Sequence, residues 1–125
     1  MLRFLSDPWI RAFDAALRAD TTLGARFAAS PIAIAQEVAS EQSYVVVLDA
    51  DRGRIVTDGS HRADVTFVCS RATAVELARG ELNAQHALTS GRLKLRGDVD
   101  RLGGAADALA AIGDLLAALR ADTEF

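Results

Sequence analysis

The stretch "GELNAQHALTSGRLKLRGD", residues 80–98, decides the fold. Gly80 stops whatever helix precedes it, Asn83 is suited to cap a short new one, and Ser90-Gly91 turns the chain into a strand. In that strand Leu93 and Leu95 alternate with Arg92, Lys94 and Arg96, so leucines face one way and cations the other. A helix end set directly against a half-buried strand predicts helices laid over a sheet. The stretch holds no obvious nucleophile, metal cluster or phosphate loop.

Upstream, Val65, Phe67 and Cys69 alternate with Thr66, Val68 and Ser70, and the face holding Phe67 is the expected core face. Ser70 then caps a helix with Ala74, Val75, Leu77 and Ala78 on its apolar side. Further back, Ile32, Ile34 and Val38 and the run Tyr44 to Leu48 read as strands, and Asp51-Arg52-Gly53 supplies a hairpin turn into Arg54 to Thr57. The chain opens with a helix started by Ser6 or Asp7, whose Trp9, Phe13 and Leu17 recur every four residues. A short helical piece, Thr22 to Ala29, ends before Pro31. Downstream, Asp98 caps a long last helix marked by Leu102, Ala105, Leu109, Ile112, Leu116 and Leu119. Gly103-Gly104 and Gly113 weaken that helix. The order predicts an α+β domain spanning residues 1–125. It has one mainly antiparallel five-stranded sheet covered by about five helices.

The totals narrow the function. A net charge of -3 over 125 residues argues against a broad phosphate-neutralising surface, so no nucleic acid is expected. The lone Cys69 cannot form an internal disulfide, and Asp7-Pro8 arrives before any signal-peptide core forms. The expectation is a cytoplasmic location. Phe27 to Ala35, the longest uncharged apolar stretch, is about half the length of a membrane span.

Candidate catalysts are weak. One Cys and two His in unrelated contexts do not make a zinc site, and neither metal nor cofactor is expected. His86, Ser90 and Asp98 can be drawn as a hydrolytic triad, but geometry rather than composition makes one. His61 fits a solvated turn. Asp49, Asp51 and Asp58 fit turns whose carboxylates bind local backbone. Arg92, Lys94 and Arg96 either blunt an edge strand or attract a phosphate or anionic head group, and both readings stay open.

Taken together, "GSHRADVTFVCSRATAVELARGELNAQHALTSGRLKLRGD", residues 59–98, resembles the sterol carrier protein 2 family in its stand-alone bacterial form. Phe4 to Asp20 is similar to the opening helix of such members, and Thr21 to Ser43 matches more loosely. The resemblance implies an apolar tunnel between sheet and helices that accepts a sterol, fatty acid or fatty acyl-CoA, and non-enzymatic transfer of that lipid inside the cell. With periodicity it assigns Phe13, Leu17, Phe67, Leu88, Leu93, Leu109, Ile112 and Leu116 to the tunnel wall, and Arg92, Lys94 and Arg96 to a head group. Transient membrane contact and a homodimer stay open as partner readings. Two departures stand out: the chain ends Thr123-Glu124-Phe125 rather than in a peroxisomal address, and Ala87-Leu88-Thr89 is slimmer than the family's usual segment. The alternatives are an enzyme or enzyme-accessory domain acting on a steroid or polyketide-like substrate, and a homo-oligomerisation module.

Overall fold

The computed structural model of the chain describes residues 1–98, 100 and 102–125, except the side chains of 102–107. The sequence stripe's Leu102 and Ala105, and the pair Gly103-Gly104, therefore lie outside the described side chains. Leu2–Arg3 forms a two-residue strand, β1. Ser6 then accepts a hydrogen bond from the Trp9 amide and Pro8 occupies the first turn, which starts α1 (Asp7–Ala19). Trp9, Ile10, Phe13 and Leu17 are its buried residues. α2 (Leu23–Phe27) ends ahead of Pro31, shorter at both ends than its pattern predicts.

Four strands follow: β2 (Ile32–Val38), β3 (Tyr44–Leu48), β4 (Arg54–Val56) and β5 (Val65–Cys69). The β3–β4 hairpin forms, but Gly53 is needed there for a different reason than turn geometry. It does not adopt positive φ. A Cβ on it would lie 2.8 Å from Leu23 Cδ1, so glycine is what lets the hairpin lie against α1 and α2. Asp49 shapes the turn by accepting from the Asp51 and Arg52 amides and holding Arg54.

Ser70 accepts from the Thr73 amide to begin α3 (Arg71–Arg79), and Gly80, at φ +75°, ends it in the left-handed region. Asn83 caps α4 (Ala84–Thr89) through the Gln85 and His86 amides. The fifth long strand, β6 (Leu93–Gly97), leads to α5 (Leu102–Leu119). A 3-10 turn, Arg120–Asp122, leads to a last short strand, β7 (Thr123–Glu124).

The main sheet runs β4-β3-β2-β5-β6. Only the central β2–β5 pair is parallel, so the sheet is mixed and mostly antiparallel. The register stacks Tyr44, Gln36, Phe67 and Leu95 in one row across four strands. That row shares its face with Ile34, Val46, Val65, Cys69 and Leu93. β1 and β7 form a separate parallel pair, which no sequence pattern of two residues could announce.

Near that pair the core is solid. Phe125, Phe4, Trp9, Phe13 and Tyr44 form a chain of ring contacts with centroids 5.2, 5.0, 5.4 and 6.2 Å apart. Trp9 Nε1 donates to Thr123 Oγ1 at 3.1 Å, and Thr123 Oγ1 donates to the Leu119 carbonyl, tying α1 to the end of α5. Asp14 of α1 accepts from the Ile55 amide at 2.7 Å, fixing the helix over β4.

Candidate functional site

Beyond Tyr44 the packing opens. A cavity of about 670 Å³ lies between the sheet and the last three helices, a size that accepts a drug-sized ligand. Its floor is the inward row and its neighbours: Ile34 and Gln36 of β2, Tyr44 and Val46 of β3, Phe67 of β5 and Leu93 of β6. The roof comes from Leu77 of α3, from Leu82 and Asn83 in the connection, and from Leu88 of α4. Leu109, Ile112 and Leu116 of α5 close the side, spaced three and four apart so that they share one helix face. Asn83, Gln85, Ala110 and Gly113 border the cavity yet are exposed, so it reaches the surface between α4 and α5.

No described residue on the wall carries a charge. The polar lining residues are Gln36, Tyr44, Asn83 and Gln85. Asn83 is occupied as a helix cap. Gln36 Nε2 donates to Cys69 Sγ at 3.4 Å. Burial, with Cys69 nearby, raises the Tyr44 phenol far above its ordinary value. Burial also raises the Cys69 thiol, against a smaller opposing effect of the Gln36 bond. Both groups are neutral at physiological pH, so the wall is uncharged throughout.

The structure brings six of the eight expected wall residues together: Phe67, Leu88, Leu93, Leu109, Ile112 and Leu116. It places Phe13 and Leu17 elsewhere. Both are fully buried in the solid half, Phe13 between Trp9 and Tyr44 and Leu17 beside Gly53. Periodicity selects a buried face but says nothing about whether the space opposite is filled. Leu77, Leu82, Gln36 and Tyr44 join the wall without having been selected. Gln36 and Tyr44 could have been found by the two-residue period, since each shares a strand face with core residues.

The three cations do not form one cluster. Arg92 precedes β6 and its guanidinium turns toward α3, where it meets Glu76 and Thr73. Arg96 is paired with Glu37 on the face opposite the cavity. Lys94 projects from that opposite face too, and it has no ion-pair partner among the described residues. The triad drawn from sequence does not assemble. Ser90 Oγ donates to the Ala87 carbonyl, and Asp98 accepts from the Asp100 amide. Among the described residues no group of His, Cys, Asp and Glu is placed to hold a metal, and no helix is long and apolar enough to cross a membrane.

Comparison with known proteins agrees with this geometry. The model of the SCP-2 sterol transfer family matches residues 13–103. Among solved structures, the sterol carrier protein domain 2 of Helicoverpa armigera is 22% identical, with 89% of this chain and 90% of that chain covered, at a TM-score of 0.64. A conserved hypothetical protein of Thermus thermophilus is 20% identical, with 93% and 89% covered, at 0.71. A stereoselective inverting sec-alkylsulfatase from Pseudomonas sp. shares the fold over 65% of this chain but only 13% of its own, at 20% identity and a TM-score of 0.51. At such identities the likeness is one of fold. No curated protein matches the chain.

Proposed function

The chain belongs to the SCP-2 sterol transfer family, and from that premise we propose that it is a non-enzymatic carrier that shelters a sterol-like or acyl lipid in the cavity and passes it between membranes. The observation that carries this reading is the hollow of about 670 Å³ with an uncharged, mostly hydrocarbon wall. Each CH₂ moved from water into such a space contributes about 0.8 kcal/mol, so chain length and dryness alone supply affinity and no catalytic group is required. The opening between α4 and α5 is the entry, and the ligand fills the hollow from there inward to Tyr44. The carrier works in the cytoplasm, where a single cysteine needs no disulfide partner. Lys94, on the outer sheet face, supports transient contact with an anionic bilayer rather than with the bound lipid.

Native mass spectrometry of detergent-free protein, followed by vesicle-to-vesicle transfer of the lipid it carries, tests the reading. A one-to-one lipid complex and accelerated transfer are expected. A ligand-free dimer that accelerates nothing would contradict it.

The likeness to part of a sec-alkylsulfatase favours one second reading. In it the domain holds an apolar substrate for a catalytic partner. Transfer without any partner protein separates the two.

A further inference from the structure

Two polar side chains interrupt the cavity floor at neighbouring register positions, Gln36 and Tyr44. Tyr44 is only 9% exposed. Its hydroxyl has no hydrogen-bond partner among the described residues, although every fully buried side-chain nitrogen or oxygen among them has one. The hydroxyl therefore borders open space, and the open space at Tyr44 is the cavity. Gln36 commits one N–H to the Cys69 sulfur, a weak acceptor, and retains a second N–H and its carbonyl oxygen. An unpaired donor beside an unpaired donor-acceptor, in an otherwise hydrocarbon wall, is costly unless something polar completes it.

We propose that Tyr44 and Gln36 form an internal anchor for a single uncharged oxygen, hydroxyl or carbonyl, on an otherwise hydrocarbon lipid. The ligand enters with that oxygen leading. The inference rests on the carrier reading and narrows it to a ligand class and an orientation.

Charge decides against an anionic head. A carboxylate or phosphate brought to this floor meets no Lys, Arg or His on the described wall, and an unpaired buried anion costs several kcal/mol. A neutral hydroxyl instead finds a phenol that stays protonated and an amide that both donates and accepts. Position decides the orientation. The Tyr44 ring packs edge-on against Phe13 at 6.2 Å, so the anchor adjoins the solid core, whereas the exposed Asn83 and Gln85 mark the mouth.

Calorimetric titration of the full chain with decan-1-ol, decane and decanoate at neutral pH tests this, with a Tyr44→Phe, Gln36→Leu double variant and each single variant alongside. The readout is the ratio of decan-1-ol to decane affinity within each protein, which cancels any general loss of cavity quality. We expect that ratio to fall about tenfold in the double variant. We also expect the wild type to hold decan-1-ol more tightly than decanoate. A ratio equal in wild type and variants, or tighter binding of decanoate, would overturn the anchor while leaving the carrier intact. A wild type that binds none of the three overturns the carrier reading itself. Near-ultraviolet circular dichroism identifies any variant that has not folded, and the single Tyr44→Phe change, which removes one oxygen, then carries the test.

Discussion

The two halves of this molecule share one sheet and differ in what lies above it. Over β3 and β4, α1 lowers Trp9, Phe13 and Leu17, and the space is filled to the last ring. Over the inward row that runs from Tyr44 and Val46 of β3 through β2 to Phe67 of β5 and Leu93 of β6, the later helices present Leu77, Leu88, Leu109, Ile112 and Leu116, and about 670 Å³ stays open. Large planar side chains of α1 close the gap between layers, while the leucines and alanines of the later helices leave it open. The boundary runs through Tyr44, whose ring packs edge-on against Phe13 and which also lines the hollow. Stability is thus concentrated in one half and capacity in the other.

Substitutions can break or sharpen that contrast. The largest effect is expected from Phe13→Ala, which opens a void in the packed half and should cost about 3–5 kcal/mol in denaturant unfolding. Next comes Thr123→Val. It leaves the buried Trp9 indole N–H without its acceptor and should cost about 1–3 kcal/mol by the same measurement. Leu116→Ala trims a wall that already faces open space and should cost about 1 kcal/mol. A loss equal to that of Phe13→Ala would erase the distinction between the halves. Gly113→Ala adds a Cβ that meets nothing within 4 Å, so it should stabilise α5 by about 1 kcal/mol in thermal unfolding. Arg96→Ala removes an exposed pair with Glu37 on the opposite sheet face and should change stability by less than about 1 kcal/mol.

The same contrast separates what sequence makes legible from what it does not. Element type and order follow from local chemistry: Ser6, Ser70 and Asn83 cap the helices they are suited to cap, and Gly80 ends α3. The alternation of Val65, Phe67 and Cys69 correctly identifies the buried side of β5. The site was only half legible. Phe13 and Leu109 carry the same periodic signal, yet one packs against rings and the other against empty space, because that depends on the volumes contributed by distant elements. Arg92 looks like a third member of a cationic strand face until the strand begins one residue later and its side chain turns to Glu76. The pairing of β1 with β7 joins residues more than a hundred positions apart and has no local signature.

The central claim is that the aliphatic half encloses a binding space rather than a loosely drawn core. Fluorescence titration with diphenylhexatriene, an uncharged hydrocarbon that brightens when dry, measures this in the wild type and in Ile112→Trp, where the larger ring intrudes on the hollow. The account predicts one saturable site in the wild type and weaker uptake by a folded Ile112→Trp variant. Equal uptake by both proteins, or none by the wild type, would contradict it.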